Sequence, residues 1–139
     1  MAPYRHYSTR SLSIAANYNL IMEAQTLLVI TTLPDAASAE QTARILVEAR
    51  LAACVSVLAP CTSVYRWQDA VETTGEIPLL IKTSREAYPR LEQRLRECHP
   101  YELPEILAIS IENGLPDYLR WIVQETESSK IESVEKSAL

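Results

Sequence analysis

An α+β architecture, a ferredoxin-like β-α-β-β-α-β sandwich with an extra C-terminal helix, is predicted by three features of the chain. Runs of strand length, rich in apolar and β-branched residues, lie at 26–33, 53–67, 77–83 and 105–111. Segments with helical period separate them at 36–50 and 84–98, and another follows at 116–125. Pro34, Pro100, Pro104 and Pro116 and the Asn113-Gly114 pair fall at the boundaries of these segments, where breakers belong. With 139 residues and 47% hydrophobic content, the chain suits one domain with a real core.

The first strand, Thr26 to Leu33, is a continuous apolar run, as expected of a central strand covered on both faces. Pro34 stops it and Asp35 is placed to cap a helix from Ala36 to Arg50. Ala39, Ala43, Leu46 and Val47 recur there at helical spacing, so a small-residue face can sit close to a sheet. Ala53 to Leu58 and Cys61 to Trp67 read as one long strand bent at Pro60, since proline cannot donate to a ladder. The polar stretch Gln68 to Gly75 is expected as a hairpin loop, and Ile77 to Thr83 as the returning strand. Ser84 caps a second helix in which Tyr88, Leu91, Leu95 and Cys98 form one apolar stripe. A strand from Glu105 to Ile111 follows, then a turn at Asn113-Gly114. A helix begins at Pro116, with Leu115, Tyr118, Leu119, Ile122 and Val123 on one face.

Both termini differ from this body. Residues 1–22 carry Arg5, Arg10 and His6 with no Asp or Glu, whereas all eighteen acids lie beyond them. They read as a flexible leader, either a targeting segment or an extension upstream of a start at Met22. Residues 23–127 form the single domain, and 128–139, polar and aperiodic, are expected to be a disordered tail. A net charge of -5 and a pI near 5.1 argue against nucleic acid or an anionic membrane as partner. Three cysteines at no paired spacing suggest a reducing compartment, the cytoplasm, or an organelle if the leader is a targeting segment.

The densest chemistry is Cys98-His99-Pro100-Tyr101-Glu102-Leu103-Pro104-Glu105: a thiol, an imidazole, a phenol and two carboxylates on a connector stiffened by two prolines. Cys98 faces the core, and His99 is turned from it by about 100°, which disfavours a Cys/His nucleophilic dyad. Cys54 and Cys98 read as buried structural thiols before they read as site residues, since free Cys behaves as a small core hydrophobe. His99 reads either as a helix C-terminal cap or as a ligand. Tyr65 and Trp67 suit an interface. Lys82, in an apolar strand, calls for a partner, and an ion pair with Glu102 or Glu105 is expected. Irregular edge strands and an open sheet face favour self-association.

These segments together resemble the divalent-cation tolerance (CutA) family. The resemblance rests on Thr31-Thr32-Leu33-Pro34-Asp35, Leu51-Ala52-Ala53-Cys54-Val55, Thr62-Ser63-Val64-Tyr65-Arg66-Trp67 and Leu80-Ile81-Lys82-Thr83. Above all it rests on His99 to Glu105, and it covers about Thr26 to Glu125. It implies a homotrimer whose long hairpin pairs with a neighbour, and binding of copper(II) or another divalent cation with no organic cofactor. The residues it marks as lining or supporting an intersubunit cleft are Cys54, Tyr65, Trp67, Lys82 and Tyr101, with His99, Cys98, Glu102 and Glu105 as metal donors. Some members place a cysteine where this chain has Thr31 and a histidine where it has Cys98, positions connected to copper. Cys98 and His99 are the soft and borderline donors left here.

A non-enzymatic role in metal response is therefore expected, because the domain shows no catalytic constellation beyond Glu102 and Glu105. The alternative is a PII-like regulatory trimer taking a small anion through Lys82 and Arg66. Two glycines and no glycine-rich loop speak against nucleotides.

Overall fold

The computed structural model describes residues 25–139, so the expected leader and His6 lie outside the described residues. The strands are β1 (Thr26–Leu33), β2 (Cys54–Val57), β3 (Cys61–Trp67), β4 (Ala70–Ser84) and β5 (Leu107–Ser110). The helices are α1 (Ala36–Glu48), α2 (Tyr88–Cys98), α3 (Pro116–Glu125) and α4 (Ser128–Ser137). All pairings are antiparallel in the order β2-β4-β1-β5, with β3 on the far half of β4. Counting β2 and β3 as one bent strand, this is the expected ferredoxin-like order.

The register sorts the side chains by face. Val29 lies opposite Ile81 and Leu33 opposite Ile77, and these odd-numbered residues pack under α1 and α2 against Ala39, Leu46, Leu91 and Leu95. Each such fully buried aliphatic side chain contributes about 1.5–3 kcal/mol. The even-numbered residues Leu28, Ile30, Leu80 and Lys82 share the other face with Cys54, Leu107 and Ile109. Leu107 and Ile109 stay exposed there, and α3 packs beside them with Leu119 and Ile122 buried.

Four expectations about the elements need correction. The hairpin loop is only Gln68-Asp69: both have positive φ (47° and 63°), and Trp67 already faces Ala70 across the ladder. That is the backbone of a two-residue hairpin turn, and the β-competent Val71-Glu72-Thr73-Thr74 continues the strand rather than the loop. The last strand begins at Leu107, not Glu105, because Pro104 holds the connector off the ladder. Residues 128–137 are helical rather than a disordered tail, and Ile131 is 1% exposed within the core under α1 and α2. One apolar residue per turn sufficed, helped by Glu132 with Arg90 at 3.8 Å and Ser128 with Glu86.

Helix α1 stops at Glu48, two residues short of the expected end. Arg50 takes positive φ (58°), its N–H reaches Val47 O and the Leu51 N–H reaches Leu46 O. This is the pattern of a Schellman cap, with arginine where glycine is usual. The arginine is held by a 2.7 Å ion pair to Glu125 at the end of α3.

Candidate functional site

A cleft of about 740 Å³ opens between the base of the β3–β4 hairpin and the connector from Pro100 to Glu105. The hairpin supplies Ser63, Tyr65 and Trp67, which alternate on one face of β3, and Glu76, which lies opposite Cys61 on that same face. The connector supplies Tyr101, Glu102, Leu103 and Glu105. Tyr65 is fixed by a 3.0 Å hydrogen bond between its hydroxyl and Thr74 Oγ1.

His99 holds the connector in place. It caps α2 with its N–H donating to Leu95 O at 2.8 Å. On the other side, Nδ1 accepts the Tyr101 N–H at 3.1 Å, which leaves Nε2 to donate to the Thr32 carbonyl at 2.8 Å. This assigns the neutral Nε2–H tautomer. Burial pushes the imidazole below its ordinary pKa, opposed by the Thr32 hydrogen bond and the nearby Glu76 carboxylate.

Glu76 was not singled out by sequence, yet it is central. It is 8% exposed and lines the cleft, with its carboxylate beside the Tyr101 hydroxyl. The Tyr101 hydroxyl is buried, and the Glu76 carboxylate beside it is the acceptor it faces. Burial first, then the neighbouring Glu76 charge, raises the phenol above its ordinary pKa. The available signal was a charged residue next to the apolar run Ile77 to Ile81, where a carboxylate needs a reason to be.

Of the expected site residues, Tyr65, Trp67, Tyr101, Glu102 and Glu105 come together in this cleft, and His99 supports it from behind. Cys54 and Lys82 do not line it. They pair across β2 and β4 on the sheet face covered by α3, where Lys82 donates to Ser56 Oγ at 2.7 Å and to Leu80 O at 3.3 Å. The expected ion pair of Lys82 with Glu102 or Glu105 is not formed; a hydroxyl and a carbonyl satisfy the ammonium instead. Cys54 neighbours the Tyr118 phenol, whose pKa is raised by burial and then by that thiol. Cys98 sits half-buried with its thiol toward Leu95 O at 3.8 Å, and burial raises its pKa away from the thiolate a metal would bind.

The donor set His99, Cys98, Glu102 and Glu105 therefore does not assemble around one point. Both imidazole nitrogens are engaged, burial disfavours the Cys98 thiolate, and among the described residues no three of His, Cys, Asp and Glu gather as a group that could hold a metal. Only Glu102 and Glu105 remain exposed at the cleft mouth. No described helix is long and apolar enough to cross a membrane.

Comparison with known proteins places this geometry in context. Residues 27–125 match the model of the CutA1 divalent ion tolerance protein family. The chain is 43% identical over 99 residues to the divalent-cation tolerance protein CutA of Thermus thermophilus, covering 71% of this chain and 96% of that protein. It is 42% identical over 97 residues to protein CutA of Mus musculus, covering 70% of this chain and 55% of that protein, so it spans about half the length of this mammalian relative. The crystal structure of CutA from Xylella fastidiosa superposes with a TM-score of 0.71 at 48% identity, covering 73% of this chain and 98% of that one. The matched region ends before α4 begins.

Proposed function

The chain belongs to the CutA1 divalent ion tolerance family, and from that membership we propose that it acts in divalent-cation tolerance as a non-enzymatic homotrimer. Its cation contact is the carboxylate pair Glu102 and Glu105 at the cleft mouth. The observation that supports this reading is the commitment of His99 to Thr32 and Tyr101, which leaves carboxylates as the accessible donors. Two exposed carboxylates suit a hard, hydrated divalent cation held weakly, more than a copper ion that favours thiolate and imidazole. Water or a neighbouring protomer completes the coordination.

Self-association is supported by exposed apolar surface that a monomer leaves in water. Val64 and Val71, diagonal neighbours two residues apart in register on one face of the hairpin, are 66% and 64% exposed, and Leu107 and Ile109 lie open on the sheet face. Covering such edges and faces is what association accomplishes. Sedimentation equilibrium at micromolar concentration is expected to return three times the 15.6 kDa chain mass; a monomer would contradict the assembly. In cells lacking their own counterpart, the wild-type chain should restore growth under zinc or copper excess, and Glu102→Gln/Glu105→Gln should not. Equal rescue by both would remove these carboxylates from the role.

A further inference from the structure

Helix α4 lies beyond the region matched to the family, and it is held differently from every element inside that region. Its sequence has four serines in ten residues, which are mediocre helix formers, and its N-cap Glu127 makes no side-chain capping bond. Ten residues also fall short of the roughly 12–15 at which an isolated helix becomes even marginal in water. The helix therefore depends on docking. Ile131 is its one buried side chain, and among the described residues no other element runs alongside it at close range. The remaining clips are surface contacts, Ser128 with Glu86 and Glu132 with Arg90. Docking also carries a defect: Arg90 Nη1 is buried with no hydrogen-bond partner, and Nη2 meets Glu132 only at 3.8 Å, beyond hydrogen-bond reach. A buried donor without an acceptor opposes the state that creates it.

We propose that α4 is an order–disorder strap: it melts off the folded domain and re-forms on it while the β-sheet stays closed, with the docked form the major one. The hinge is Thr126. It is fully buried, with Oγ1 at 2.8 Å from both Ser84 Oγ and Ile122 O, and Ser84 Oγ in turn accepts the Ala87 N–H at the start of α2. That node pins the end of α3 to the start of α2, so melting of α4 stops there. Opening withdraws Ile131 from the core and lets water reach the Arg90 guanidinium. The first opposes release and the second favours it, which makes α4 a segment of low local stability on a more stable body.

The test is native-state amide hydrogen exchange on the full chain, comparing residues 131–137 with residues 27–33 of β1. Protection in α4 is expected to exceed that of an unstructured chain by about tenfold or more, yet to fall about a hundredfold or more below that of β1. Arg90→Met keeps the apolar stem and removes the orphan donor, so it should raise α4 protection by about fivefold or more. A strap held by the Arg90–Glu132 ion pair would respond in the opposite direction. Ile131→Ala should bring α4 to the rate of an unstructured chain while β1 stays protected, which also shows that the variant folds. Wild-type α4 exchanging as slowly as β1, wild-type α4 exchanging as an unstructured chain, or faster α4 exchange in Arg90→Met would each overturn the proposal.

Discussion

The imidazole of His99 donates from Nε2 to the main-chain carbonyl of Thr32 at 2.8 Å, tying the connector after α2 to the end of β1. These residues are 67 positions apart, so this one bond fixes where Tyr101, Glu102 and Glu105 stand relative to the hairpin. The same ring accepts the Tyr101 N–H through Nδ1, and a doubly protonated ring would face that N–H with another donor.

A pH dependence follows with a definite sign. The folded pKa of His99 is lowered, so between the folded value and the unfolded value near 6.5 the unfolded chain binds more protons. Its stabilising contribution is full above the unfolded pKa and is lost as pH falls through it toward the lower folded value. The thermal midpoint should therefore decline as pH is lowered from about 7. His99→Gln should flatten that decline, and a wild-type midpoint that rose on acidification over this window would contradict the assignment.

Gly114 is required by close approach. A Cβ there would stand 2.8 Å from Leu119 Cδ2 and 3.0 Å from its Cγ, and Leu119 is buried with little room to yield. Gly114→Ala should cost about 1–3 kcal/mol in urea unfolding. An unchanged midpoint would mean that the junction into α3 is looser than described.

Helix α4 is expected to stabilise the domain although it lies beyond the region matched to the family. Ile131→Ala removes a fully buried side chain and should cost about 2–5 kcal/mol. A loss under about 0.5 kcal/mol, the size of a surface change, would place α4 off the core.

Thr31 carries a buried hydroxyl with no hydrogen-bond partner at the centre of β1, between Leu79 on the neighbouring strand and the helices above. Thr31→Val keeps the shape and removes the unsatisfied oxygen, so it should raise stability by about 1 kcal/mol or more. A destabilised variant would show that the hydroxyl has a partner after all.

Much of the fold was legible because periodicity reports burial directly. The continuous apolar run Thr26 to Leu33 maps onto β1, buried toward the helices and half-buried on its other face, and Leu91 and Leu95 of the predicted stripe map onto the buried face of α2, with Cys98 half-buried at its end. Local backbone chemistry is less legible: Gln68, Asp69 and Arg50 adopt positive φ without a glycine to announce it, so the hairpin loop is six residues shorter and α1 two residues shorter than the sequence predicts. For α4, a single buried isoleucine gives no periodic signal, and only tertiary contact reveals its place. At the site, the connector was visible as a cluster of chemical groups. The bond from His99 Nε2 to Thr32 and the burial of Glu76 beside Tyr101 depend on distant parts of the chain meeting, which no local pattern encodes.

The most direct measurement is calorimetric titration of the reduced protein with Zn(II) and Cu(II), run in parallel on His99→Ala and on Glu102→Gln/Glu105→Gln. If the cation is met by carboxylates, saturable binding persists in a folded His99→Ala protein and disappears in the double variant. Binding that vanished with the imidazole while surviving loss of both carboxylates would contradict the account.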